Sequence, residues 1–386
     1  MSSTFLNARY ADIHPYQPGE QPKDRAYVKL NANETSVAPS PKVAEALADP
    51  RLVQGLGRYA DPHCMPIRES IASSVGTTPD HVFCGNGSDE VLAFLFLAFF
   101  GDDARVCFPD VTYGFYRDYC DAFGVGFREI ALHDDFTLDV DAFCVARENV
   151  AIANPNAPTG LVIPTSEVAR VCQAGPKRLV IVDEAYVDYG SKSCASLVDD
   201  NPNLIVVQIM SKSRNLAGAH IGWAIASPEI VLDLNDIKFC FNPFNLSAPT
   251  MAIGIASLSD EAYFDRCVAT VIKERGRTTR ELVARGFEAL DSHANFIFCH
   301  KDGLDAVAWN QSLRQRGVLC RHYAAPRITD WLRVTIGTRN EMDAFLAATD
   351  EVLAELVSHL RWPHGHDGPV AESEHPVARM RQPSLY

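Results

Sequence analysis

"RLVIVDEAYV", residues 178–187, sets an apolar run directly against two acids and a tyrosine. Neighbouring positions on both sides of such a run are apolar, so it reads as a strand covered on both faces, and strands of that kind belong to parallel sheets flanked by helices. The same signature recurs in "NVAIAN" (149–154) and "NLIVVQIM" (203–210), and in shorter form in "HVFC" (81–84), "RVCF" (105–108) and "IGWAIA" (221–226). Stretches of helical period separate them. The fold class is therefore α/β, with a large domain over residues 31–255 built on a mostly parallel sheet covered by helices. "VLAFLFLAFF" (91–100) is too short to span a bilayer and reads as a buried helix.

Beyond that region the pattern changes. A long amphipathic helix (roughly 261–290) precedes a strand "ANFIFC", a helix "LDAVAWNQSLRQRG", a strand "WLRVTIG" and a closing helix from Asn340 to near Leu360. This is expected to be a smaller α+β domain over 256–362. Residues 1–30 read as an N-terminal arm. Residues 363–386, rich in Pro, Gly and His, read as a disordered tail. The tail's His364, His366 and His375 are taken as composition, and no metal site is expected.

Composition narrows the function. The chain has 386 residues, 49 acidic against 35 basic, for a net charge of −14. It contains no basic run able to follow a phosphate backbone, so small molecules are expected as partners, with no nucleic acid and no membrane. An anionic substrate would need a few arginines gathered in a cleft. The 11 cysteines show no paired metal-ligand or redox spacing, which fits a reducing cytoplasm. The N-terminus lacks the apolar core of a secretory signal.

In sheets of this type the functional groups collect at the carboxyl ends of the strands. Four polar loops stand there. "GNGSDE" (85–90) opens a helix and offers backbone amides at Gly87, Ser88 and Asp89 as a phosphate seat, or simply caps the helix through Ser88. "NPNAPTG" (154–160) follows the next strand. "DEAY" (183–186) ends another with Asp183, a buried acid in need of a cation, and Tyr186 just beyond it. "MSKS" (210–213) places Lys212 as the amine that forms Schiff bases with carbonyls. Phosphate seat, acid for a ring nitrogen and amine for an aldehyde together specify pyridoxal 5'-phosphate.

The order of the motifs then resembles the fold-type-I pyridoxal-phosphate-dependent transferases, and among them the histidinol-phosphate aminotransferases. The likeness runs from about residue 13 to 360. It is carried by "HPYQPG" (14–19), "KLNANE" (29–34), "RYADP" (58–62), "GNGSDE", "FPDVTYGFY" (108–116), "NPNAPTG", "VDEAYVDY", "SKSRNLAG" (211–218), "ANFIF" (294–298) and "RHY…RI…LRVTIGT" (321–338). It implies that Lys212 holds the cofactor and shuttles a proton, that Asp183 keeps the ring nitrogen protonated, and that Tyr186 bonds the phenolic oxygen. Tyr113 would stack on the ring, and Gly87, Ser88, Asp89 and Ser211 would hold the phosphate. Tyr59 would reach the cofactor phosphate of a neighbouring subunit, making the protein a homodimer. Tyr16, Asn33, Arg321 and Arg333 would bind substrate.

Three positions depart from the pattern. His220 stands where the family has an arginine on the cofactor phosphate, Ile209 where a hydroxyl residue is common, and Ala157 where an asparagine bonds the phenolic oxygen. Asn156 or Tyr186 is left to compensate for the last. The expected activity is transfer of an amino group between histidinol phosphate and 2-oxoglutarate, giving imidazole acetol phosphate and glutamate in histidine biosynthesis. An aromatic amino-acid aminotransferase, a decarboxylase of a phosphorylated amino acid and a non-catalytic binding module are the alternatives.

Overall fold

The computed structural model describes residues 5–7, 10, 16, 18–101 and 103–360, without the side chains of 356–360. The C-terminal tail with its histidines, and His14, Pro15 and Gln17 of the first motif, lie outside the described residues. The strands in chain order are β1 (Val28–Lys29), β2 (Val82–Asn86), β3 (Val106–Pro109), β4 (Phe127–Ile130), β5 (Asn149–Ala153), β6 (Val180–Asp183), β7 (Leu204–Ile209), β8 (Ile221–Ile225), β9 (Glu288–Ala289), β10 (Phe296–His300), β11 (Val318–Leu319), β12 (Arg321–His322) and β13 (Leu332–Thr335).

Seven strands form the main sheet in the order β2-β8-β7-β6-β5-β3-β4. Only β8 runs against the rest, pairing antiparallel with both β2 and β7. The doubly apolar runs explain the burial. In β6, Val180 and Val182 enter the core on one face while Ile181 enters the core on the other. The helix Gly87–Phe99 buries Val91, Leu92, Phe94, Leu95 and Phe96 over the sheet, so "VLAFLFLAFF" is a core helix. Asp89 and Glu90 in its first turn suit the positive end of the helix dipole.

The second sheet, β12-β13-β10-β9, is antiparallel. Trp309, Leu313 and Phe345 lie in the core beneath it, contributed by the helices Ala306–Gln315 and Arg339–Leu360. β1 pairs in parallel with β11, so the early chain is stitched to this second unit. Arg327 joins the two sheets: its guanidinium meets Asp110 at 2.6 Å and donates to the carbonyls of Leu132 and His133. Beside it an apolar cluster of Val111, Leu132, Phe136, Phe298 and Trp331 closes the seam. A cleft lies between the carboxyl edge of the main sheet and β13.

Candidate active site

Asp183 is the last residue of β6, in register with Ala153 of β5 and Val207 of β7. Its carboxylate is 4% exposed. It accepts hydrogen bonds from the Ala185 amide at 3.1 Å and the Tyr116 hydroxyl at 3.3 Å. Burial pushes its pKa up to about 6. No ion pair among the described residues involves it, and a buried acid without a cation is costly. The site is built for a cation that side chains do not supply.

Lys212 lies just beyond β7 on the same edge. Burial, and secondarily the Arg333 charge, push its pKa down to about 8. A substantial fraction of the amine is therefore neutral near physiological pH, as a nucleophile requires.

The helix Gly87–Phe99 aims its N-terminus into the same cleft. Gly87 adopts φ +71° and donates its amide to the carbonyl of His220 at 2.9 Å. Gly222, the second residue of β8, is pressed against this turn. A Cβ there would meet the Gly87 carbonyl carbon at 2.4 Å, so only glycine lets the helix end come so near the sheet. With the Gly87 amide spent on His220, the amides of Ser88 and Asp89 remain in that first turn as a seat for an anion. Ser211 and the exposed His220 border it.

The cavity these groups enclose measures about 340 Å³. Gly87, Ser88, Asp89, Tyr113, Asp183 and Tyr186 line it from one side, and Ser211, Lys212, His220, Tyr16, Asn33 and Arg333 complete it. Tyr113 donates its hydroxyl to Asp89 at 2.7 Å. The Tyr113 ring stacks on Phe115 with centroids 5.3 Å apart. Tyr16 packs on Phe115 at 4.6 Å. The Asn33 amide donates to the Tyr186 hydroxyl at 2.8 Å.

Three residues named from the sequence stand apart from this wall. Asn156 accepts from Thr112 and gives both amide hydrogens to Val111 and Thr159. It faces a separate, smaller cavity and has no donor left for a ligand in the cleft. Tyr59 is 82% exposed, stacked on Phe244 at 4.3 Å on the outer surface. Arg321 stands just outside the lining, directly across β12–β13 from Arg333.

Sequence reasoning missed several contributors. Tyr116 supports Asp183, and its signal was present in "YGFY", three positions after Tyr113 and in the first turn of the helix Phe115–Phe123. Tyr323, in "RHY", is a second. Its ring stands 5.6 Å from both the Arg321 and the Arg333 guanidinium. Glu34 and Phe115 also line the cleft.

The residues present fit pyridoxal phosphate. The unpaired buried Asp183 suits a protonated pyridine nitrogen, Lys212 an aldehyde, and the Gly87–Asp89 turn with Ser211 and His220 a phosphate group. Arg321 and Arg333 stand apart from that set and suit a second anion.

The comparisons agree with this geometry. The family model for aminotransferase class I and II matches residues 25–348. Histidinol-phosphate aminotransferase 2 of Gluconobacter oxydans is 47% identical, over 92% of this chain and 99% of its own. Histidinol-phosphate aminotransferase of Clostridium acetobutylicum is 41% identical, over 91% and 100%. Among solved structures, the histidinol-phosphate aminotransferase from Sinorhizobium meliloti in complex with pyridoxal-5'-phosphate matches with TM-score 0.76 and 26% identity, over 86% of this chain and 92% of that one. The chain belongs to the aminotransferase class I and II family.

Proposed function

We propose that this enzyme is a pyridoxal-phosphate-dependent transaminase that exchanges the amino group between histidinol phosphate and 2-oxoglutarate, giving imidazole acetol phosphate and glutamate. The observation that carries the substrate is the pair Arg321 and Arg333, opposed across β12–β13 beside Tyr16 and Tyr323. Full-length likeness to histidinol-phosphate aminotransferases at 41–47% identity supports it.

Bound pyridoxal phosphate supplies an electrophilic carbon for the substrate amine and a protonated ring that withdraws electrons from the amine-bearing carbon. The protein's own residues do the rest. Lys212 Nζ, with its lowered proton affinity, takes the proton from that carbon and returns one on the other side of the exchange. Asp183 holds the ring-nitrogen proton, and Tyr186 donates to the phenolic oxygen. Arg321 and Arg333 hold the phosphate of one substrate and the carboxylates of the other.

The same reading includes a homodimer. Val53, Leu56, Tyr59, Phe239, Phe241 and Phe244 are exposed near one another in sequence and through ring contacts. The helix Pro50–Gly55 buries no residue of its own, an uncommon state for a helix this apolar unless a partner covers it. A second copy over this surface would bring Tyr59 toward the neighbouring cleft. The reading divides the chain into an arm (1–30), a large domain (31–255) and a small one (256–362), and the separate cores under the two sheets support it. A cytoplasmic location fits the free state of all the cysteines. Among the described residues no helix is long and apolar enough to cross a membrane.

The test is a half-reaction. Protein saturated with pyridoxal phosphate is mixed with histidinol phosphate and no keto acid, with phenylalanine in parallel. Bleaching of the visible band with stoichiometric imidazole acetol phosphate is expected. Bleaching by phenylalanine alone would transfer the assignment to an aromatic substrate, and release of carbon dioxide to a decarboxylase.

A further inference from the structure

Asn33, expected to meet substrate, lines the cleft, and its side chain also makes hydrogen bonds within the protein. It sits in the left-handed region at φ +54°, a conformation asparagine tolerates better than most residues. It is held by Thr335 of β13. The Asn33 amide N–H donates to the Thr335 hydroxyl oxygen at 3.0 Å. The Thr335 hydroxyl in turn gives its proton to Asn33 Oδ1 at 3.0 Å. Asn295 Nδ2 clamps the Asn33 carbonyl, also at 3.0 Å. Asn33, Thr335 and Asn295 are each at most 2% exposed, so water does not compete.

These bonds fix a direction. A threonine hydroxyl has one proton, and here it goes to Asn33 Oδ1, which leaves the amide NH₂ facing Tyr186. Asn33 Nδ2 donates to Tyr186 Oη at 2.8 Å. Tyr186 is thus an acceptor on that side and must spend its own proton on something else. No acceptor for it is found among the described residues, and Tyr186 lines the cleft. The position that could share the task is closed: Ala157 packs against the Tyr186 ring as part of an apolar cluster with Ala294 and Phe296, and offers no donor.

We propose that Asn33 and Thr335 are positioning residues that orient the Tyr186 hydroxyl, making Tyr186 the donor to the cofactor's phenolic oxygen in a site where Ala157 has removed the other. The inference rests on the cofactor reading above. It adds a link between the two sheets, because Thr335 shares its face of β13 with Arg333. Seating of the anion-binding strand and orientation of the cofactor's hydrogen bond become one structural event.

The test is the pH titration of the visible band of the bound cofactor. A hydrogen bond to the phenolic oxygen drains the negative charge that retains the neighbouring nitrogen's proton, so weakening it moves the midpoint up. Tyr186→Phe sets the full effect. Thr335→Val and Asn33→Ala are expected to move the midpoint the same way by about half to one pH unit, the shift one hydrogen bond of ordinary strength makes. Thr335→Ser, which keeps the hydroxyl, is expected to leave it in place, and Thr335→Val added to Tyr186→Phe to change nothing further. The charged groups facing Tyr186 are Arg333, Asp183 and Asp89, and none of these substitutions removes one. If Asn33→Ala does not fold, the Thr335→Ser and Thr335→Val pair carries the comparison. Unmoved midpoints in both Thr335→Val and Asn33→Ala, beside a moved one in Tyr186→Phe, would overturn the proposal alone. Absence of any visible band in the unaltered protein would overturn the cofactor reading and this inference with it.

Discussion

Arg321 and Arg333 are direct partners across the antiparallel pair β12–β13, two like charges held as cross-strand neighbours beside the cleft. Such a pair is unfavourable by itself. The Tyr323 ring, 5.6 Å from each guanidinium, offsets part of the repulsion. Arg333 donates to the Asn31 carbonyl at 3.1 Å, yet its Nε is buried with no hydrogen-bond partner. An anion beside Arg333 would satisfy that group. Arg333→Gln is expected to raise KM for both histidinol phosphate and glutamate by roughly 10- to 100-fold, the effect of losing one or two charge-assisted hydrogen bonds. Steady-state kinetics with both substrates checks it, and an unchanged KM would remove Arg333 from the substrate site.

Arg333 also acts on Lys212, since its charge is the second cause, after burial, of the low lysine pKa of about 8. The depressed value means that capture of pyridoxal phosphate by the empty enzyme accelerates as pH rises through about 8. In Arg333→Gln the midpoint moves to higher pH. Stopped-flow absorbance across pH 6.5 to 10 gives both curves, and coincident curves would contradict the coupling.

Asp183 carries a linkage of opposite sense. Its folded pKa of about 6 lies above the ordinary value, so the native empty protein holds a proton that the unfolded chain has already released. Stability of the empty protein therefore falls as pH rises from about 4 to about 6, and stays lower above that. Asp183→Asn removes the buried charge, and the empty protein is expected to gain roughly 1–3 kcal/mol at pH 8. The same substitution is expected to lose the extra stabilisation that cofactor gives the unaltered chain. Thermal melts with and without pyridoxal phosphate decide it.

The main sheet was legible because its strands are apolar on both faces, and the strand ends because polar loops follow them at once. β4 escaped notice for the complementary reason: "FREI" (127–130) is an edge strand whose Arg128 and Glu129 are exposed, so periodicity says nothing there. The long helix expected to reach about residue 290 stops at Ala284, where Gly286 at φ +79° turns the chain into β9. Pairwise roles were harder to read than positions. Nothing local ties Val28 to Val318, or Asn33 to Thr335, because those contacts are made by packing of two units across most of the chain. Asn156 shows the converse: its motif is right, but Thr112 and Thr159 take its side chain.

The exposed apolar surface gives the test of assembly. Phe241 is 74% exposed and meets Phe94 edge-on at 6.0 Å, so a charge there disturbs little of the subunit's own core. Phe241→Glu is expected to shift the protein from dimer to monomer in sedimentation, with loss of most activity. A dimer unaffected by Phe241→Glu would place the interface elsewhere.

His220 is where this chain departs most visibly from the pattern it otherwise follows. Its carbonyl holds the Gly87 amide at 2.9 Å, and its ring nitrogen Nδ1 lies 3.6 Å from where a Gly87 Cβ would stand. The imidazole is therefore beside the helix turn proposed to seat the phosphate. A guanidinium presents a planar, permanently charged fork of donors that matches a phosphate, and an imidazole does not. His220→Arg is expected to tighten cofactor binding by about tenfold, the worth of one charge-assisted hydrogen bond. The backbone at this position, φ +49°, is no easier for arginine, so a loss of a few degrees in melting temperature of the empty protein is compatible with tighter binding. Dialysis equilibrium with pyridoxal phosphate measures it. Equal affinity in the two proteins would mean that the helix turn and Ser211 hold the phosphate unaided, and that position 220 matters only for the turn its backbone makes.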